Sequence, residues 1–157
     1  MTRPNFLSGR VLIAGAGVSG RGCAAVLDRL GVDVTVADGN PESRARLAAE
    51  LDVATVDTAA VDLSEYSLVV TSPGWRPDSP LLAAAASRGL EVIGDVELAY
   101  RLDQAETFGA SRRWLAITGT NGKTTTTGML AAIMAADEQR SGPVSYTHLT
   151  LPTKRIV

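Results

Sequence analysis

The sequence predicts an α/β fold built on an open parallel sheet, followed by the opening strand, loop and helix of a second α/β unit. Three observations predict it. Short apolar runs of strand length alternate with helix-length segments over residues 10–102. Glycine-rich turns stand where two of those runs end, at Gly15-Ala16-Gly17-Val18-Ser19-Gly20 and at Thr118-Gly119-Thr120-Asn121-Gly122-Lys123-Thr124-Thr125. The second turn carries one of only two lysines in the chain, the other being Lys154.

Residues 10–14, Arg-Val-Leu-Ile-Ala, form the kind of continuous apolar run found in a parallel strand buried on both faces. A glycine loop follows, then good helix formers over 21–30, with Gly31 placed to end them in a left-handed cap. Residues 32–37 read as the second strand with Asp38 at its carboxyl end, and 41–51 as the second helix. A weak strand is expected near 53–56 and a firmer one at 68–71, running into Ser72-Pro73-Gly74. The alanine-rich stretch 80–87 should be helical and capped by Gly89, with a strand at 90–93 and a helix at 95–102 after it. This alternation is Rossmann-like and places ligands at the carboxyl ends of the strands.

Between residues 103 and 113 the apolar pattern lapses, which marks a domain boundary. The expected organisation is one α/β domain over 1–107 and the start of a second, truncated one over 108–140. That second unit would begin with a strand at 114–118 and continue, past its loop, into a helix around 129–134. Residues 141–157 show no helical period and do not share the Ala/Arg-rich usage of the body, so they read as a non-native or disordered tail.

Composition narrows the function. A chain of 157 residues with 45% hydrophobic content can bury one ordinary core plus a fragment of another. A formal charge of −2 and no dense basic block argue against a nucleic-acid module. Cys23 is the single cysteine, so an internal disulfide is excluded and a reducing compartment fits; beside Gly22 and Ala24 it reads as a small packing residue. His148 is the single histidine, and no metal-ligand spacing is present. The amino terminus has no secretory pattern and no stretch is long and apolar enough to span a membrane, so a soluble, cytoplasmic protein is expected.

The two loops carry the chemistry. In the first, Gly15, Gly17 and Gly20 match G-x-G-x-x-G, and Asp38 follows Gly15 by 23 positions. The glycines permit a tight turn and close approach of a pyrophosphate to a helix amino terminus, while the acid can meet a ribose hydroxyl. Those residues alone fit NAD(P). The pyrophosphate of a UDP-sugar is chemically equivalent there, and both readings stand on the residues. The second loop is a short G-x-x-G-K-T form, because the longer G-x-x-x-x-G-K-[ST] pattern would need glycine where Ile117 stands. It points to a nucleoside triphosphate: Lys123 on the β- and γ-phosphates, the Thr124 hydroxyl on Mg²⁺, Thr125 and backbone amides on phosphate oxygens.

Four blocks in order, Gly15-Ala16-Gly17-Val18-Ser19-Gly20, Thr71-Ser72-Pro73-Gly74, Gly94-Asp95-Val96-Glu97-Leu98 and Ile117 through Thr125, resemble the Mur ligases, the ATP-dependent amide-forming enzymes of peptidoglycan precursor synthesis. Their combination is most similar to the D-glutamate-adding branch, and the similarity runs from about residue 9 to 137. The resemblance implies ATP and Mg²⁺ as cofactors, UDP-N-acetylmuramoyl-L-alanine and D-glutamate as substrates, and a monomer. It implies that Gly15, Gly17, Val18, Ser19, Gly20, Asp38, Gly39, Asn40, Ser72, Pro73 and Gly74 line the UDP-substrate pocket. It likewise assigns Gly119, Thr120, Asn121, Gly122, Lys123, Thr124 and Thr125 to ATP, with Lys123 and Thr124 catalytic and Thr124 on the metal. The family activates a carboxylate by phosphorylation and lets an amine displace the phosphate. Its further metal ligands, its modified lysine and its carboxyl-terminal domain have no counterpart here, so the expectation is an inactive piece of a ligase. Another Mur-type ligase, or an NAD(P)-binding module, is the alternative.

Overall fold

The computed structural model describes residues 3–136; the tail expected at 141–157 lies outside the described residues. The chain divides between Arg112 and Arg113 into two compact units. In the first, five strands form one parallel sheet: β1 (Val11–Ala14), β2 (Val34–Ala37), β3 (Ala54–Val56), β4 (Leu68–Thr71) and β5 (Glu91–Gly94), in the order β3-β2-β1-β4-β5. The chain winds outward from β1 in one direction through β2 and β3, then starts again on the other side of β1. The order reverses between β1 and β4, where the loops leaving the two strands part and open a crevice.

The apolar runs form strands because both faces of the sheet are covered. Val11, Ile13, Val34, Val36, Leu68 and Val70 point to one face and meet Ala24 and Leu27 of α1 (Val18–Arg29), Leu47 of α2 (Pro41–Glu50), and Leu98 and Leu102 of α4 (Asp95–Gln104). Leu12, Ala14, Ala37 and Val69 point to the other, against Leu81, Leu82 and Ala85 of α3 (Pro80–Ser87) and Leu63 in a 3₁₀ turn. Strand periodicity thus sorts a continuous apolar run into two cores.

Most elements fall where the sequence places them, and β4 and α3 do so to the residue. Helix α1 starts three residues earlier than helix propensity suggests, because Val18, Ser19 and Gly20 of the glycine loop are themselves its first turn. Asn40 caps α2, its side-chain oxygen accepting from the amides of Glu42 and Ser43, with Pro41 at the first helical position.

The second unit contains α5 (Lys123–Ala136), longer than the helix expected around 129–134. The strand expected at 114–118 is a correction: those residues carry no strand ladder. A strand exists only through hydrogen bonds to a neighbour, and among the described residues of this unit none supplies them. Leu115, Met129 and Ile133 are each more than 60% exposed, so no core forms around α5 among the described residues.

Candidate functional site

The site in the first unit is built on the carboxyl ends of β1, β2 and β4. Gly15 leaves β1 at φ +100°, its amide donating to the carbonyl of Ala37 on β2 at 2.7 Å. That turn brings the chain round so closely that a Cβ on Gly20 would stand 1.8 Å from the Gly15 carbonyl oxygen. Gly20 is therefore required by backbone contact. Gly17 is the N-cap of α1 and offers no side chain to its amides, so the first-turn N–H groups of α1 have no capping side chain and face the crevice with the positive end of the helix dipole.

Asp38 fastens this loop to its neighbour. One carboxylate oxygen accepts from the Ala16 amide at 2.7 Å, the other from the Asn40 amide at 2.8 Å. Each oxygen keeps a second acceptor direction for a ligand hydroxyl. Sequence reasoning missed Arg44, one turn into α2, which donates to the Asp38 carbonyl and pairs with Asp57 at 2.9 Å. The Ala59 amide and then Arg44 hold the Asp57 carboxyl below its ordinary value.

Ser72-Pro73-Gly74 closes the far wall. The Ser72 carbonyl accepts from the Trp75 amide at 3.1 Å, turning the chain back over β1, so that the Trp75 indole packs beside Gly15. A cleft of about 240 Å³ continues from the loop at Ala16, Gly17 and Val18 outward between α1 and α2, past Arg21, Ser43 and Arg46. Arg21 pairs there with Glu50 at 3.0 Å. Val18 is 83% exposed at its rim, an apolar side chain left in water at the first turn of α1.

Gly15, Gly17, Val18, Ser19 and Gly20, Asp38, Gly39 and Asn40, and Ser72, Pro73 and Gly74 thus lie on loops that leave three neighbouring strands on one edge of one sheet. Asp95, from the third sequence block, begins α4 with only 5% exposure; Oδ1 accepts from the Val96 amide and Oδ2 is buried without a partner. Cys23 is packed close enough to feel it: burial, and then the Asp95 charge, push the thiol up to about 12. A thiol so neutral is a packing group, as its small neighbours suggest.

In the second unit, Gly119 through Gly122 wrap the amino terminus of α5, with Gly122 at φ +77° and its carbonyl accepting from the Thr126 amide. Lys123 Nζ donates to the Gly119 carbonyl at 2.6 Å and to that of Thr120 at 3.4 Å. The ammonium thus folds back over the loop that precedes it, next to the first-turn amides, a donor set suited to a polyanion. Thr124 and Thr125 are exposed on that first turn. Among the described residues there is no cluster of three or more His, Cys, Asp or Glu side chains that could hold a metal ion, and no helix is long and apolar enough to cross a membrane.

An open parallel sheet with a glycine loop at its switch point defines a Rossmann-like α/β domain. Residues 9–94 match the family model described as Mur ligase MurD-like, N-terminal domain, and the chain belongs to that family. It is 66% identical over 133 residues to UDP-N-acetylmuramoylalanine--D-glutamate ligase of Corynebacterium efficiens, covering 83% of this chain and 28% of that protein. Against the enzyme of the same name from Corynebacterium diphtheriae it is 57% identical over 141 residues, covering 88% of this chain and 30% of the relative. The chain thus spans less than a third of the length of these curated relatives. Among solved structures, UDP-N-acetylmuramate-alanine ligase MurC of Thermotoga maritima shares the fold at a TM-score of 0.52 and 23% identity, over 83% of this chain and 30% of that one.

Proposed function

We propose that this chain is the amino-terminal portion of a UDP-N-acetylmuramoylalanine--D-glutamate ligase: residues 1–107 bind the UDP-muramoyl substrate and residues 108–140 begin the ATP-binding domain. One observation carries the reading. The glycine loop, Asp38 and Ser72-Pro73-Gly74 follow the carboxyl ends of three neighbouring strands that flank the reversal of strand order, where the first turn of α1 has no capping side chain and leaves its amides free for a pyrophosphate. The names of the relatives above support the same substrate.

On this reading the Val18 and Ser19 amides receive the diphosphate, Asp38 with Gly39 and Asn40 meets the uridine, and Ser72 to Gly74 line the facing wall of the pocket. ATP with Mg²⁺ would sit on residues 119–125, with Lys123 leaving its loop carbonyls for the β- and γ-phosphates and Thr124 reaching the metal; ATP supplies the phosphoryl group that activates the substrate carboxylate. D-glutamate is the amine that follows. The whole enzyme acts in the cytoplasm as a monomer, in peptidoglycan precursor synthesis. The 157-residue chain forms no amide by itself, because a phosphate loop without an assembled site positions nothing.

Asp38 at the end of β2 also suits the ribose of a nicotinamide dinucleotide, which makes NADH the informative competitor. Calorimetric titration of the chain with UDP-N-acetylmuramoyl-L-alanine and, separately, with NADH tests the reading. Saturable binding of the UDP-sugar alone is expected. Binding of NADH alone would replace it with the oxidoreductase class.

A further inference from the structure

Trp75 follows Ser72-Pro73-Gly74 and lies outside every motif the sequence displays. Its place in the fold is specific. A Cβ built on Gly15 would stand 2.7 Å from the indole Nε1, 3.5 Å from Cδ1 and 3.6 Å from Ser72 Oγ. The N–H edge of the ring and the Ser72 hydroxyl therefore flank the same turn, at the point where β1 and β4 part.

Neither donor is used. Trp75 Nε1 donates to no acceptor among the described residues, and neither it nor the Ser72 hydroxyl is sealed away from solvent as a buried orphan. The rest of the ring is anchored, packed against the core that Leu12, Ala14, Leu81 and Leu82 form beneath the sheet. A rigid apolar body with an open N–H at the rim of a crevice is the arrangement by which tryptophan serves recognition, since a polar tip held in place loses little entropy on binding. Nearby, α1 presents its uncapped first turn.

We propose that Trp75 is a binding residue of this crevice, its indole N–H donating, with the Ser72 hydroxyl, to a diphosphate oxygen that the α1 amides hold from the opposite side. This rests on the UDP-substrate reading above and adds to it a donor on the β4 wall. The consequence is that the diphosphate is gripped from two strands that the fold brings together only at the reversal, which a helix amino terminus alone does not do.

The test uses the two tryptophans of the chain, Trp75 and Trp114, as built-in probes. In proton–nitrogen correlation spectra the two indole N–H signals are assigned with Trp114→Phe, then followed on adding UDP, inorganic pyrophosphate or uridine. The Trp75 signal should move downfield with UDP and with pyrophosphate, and stay in place with uridine. Trp75→Phe, which keeps a ring but removes the donor, should weaken UDP by about tenfold in calorimetry. UDP binding with the Trp75 signal unmoved overturns the proposal and spares the site, as does an equal shift with uridine. Absence of UDP binding to the unaltered chain overturns both. The indole signal of the unaltered chain decides the matter even where Trp75→Phe does not fold.

Discussion

The two glycine loops of this chain share a grammar and differ in their foundations. Gly15 through Gly20 sits on β1, between β2 and β4, with α1 pressed on the sheet by Ala24 and Leu27. Gly119 through Gly122 precedes α5, whose Met129 and Ile133 are 63% and 64% exposed, after a stretch that carries no ladder. In the first loop the conformation is imposed by contacts from all sides; in the second it rests on local hydrogen bonds such as Lys123 Nζ to the Gly119 carbonyl. A motif names the ligand chemistry, whereas only a packed sheet fixes the positions of the atoms that perform it.

The contrast is broken most severely at Gly20. Gly20→Ala drives a methyl group into the Gly15 carbonyl and should cost about 3 kcal/mol or more, seen as a large loss in the urea midpoint of the first unit. A near-neutral result would mean that the loop is as pliant as its counterpart.

A paired substitution sharpens the same point. Leu27→Ala, in a fully buried position, should cost about 3 kcal/mol, while Ile133→Ala on α5 should change the unfolding of this chain by no more than about 0.5 kcal/mol. Equal costs would place Ile133 in a core.

The next effect is smaller and functional. Asp38→Ala strips the acceptor from the Ala16 and Asn40 amides and should lower stability by about 1–2 kcal/mol. UDP affinity should fall with it, measured by calorimetry on the folded fraction, while Lys123→Ala leaves it unchanged.

The mildest test is at Cys23. Its thiol titrates near 12 in the fold against 9.0 as a free group, so the folded state keeps a proton that the unfolded state releases as pH rises past 9. That contribution to folding stability is present below pH 9 and falls above it, by about 1.4 kcal/mol at pH 10. Cys23→Ala should flatten that alkaline slope in urea titrations.

The first unit was legible because each of its signals is local. Continuous apolar runs marked β1 and β4, Gly31 and Gly89 marked helix ends, and the spacing of Gly15, Gly17, Gly20 and Asp38 marked the crevice. Sequence could not show that Asp38 spends its carboxylate on two backbone amides, because that depends on how the β1 and β2 loops meet in space. Trp75 and Arg44 were invisible for the same reason, neither belonging to a recurring pattern. The strand expected at 114–118 failed differently: an apolar run states a preference for pairing, and pairing needs a partner.

Asp38 has one more implication. Because a single carboxylate tethers the turn after β1 to the turn after β2, a backbone shift in one turn is passed to the other. On the proposed reading, a change at residues 39 and 40 that moved their backbone would also move the amides offered to the diphosphate, whereas a change of side chain alone leaves both hydrogen bonds in place.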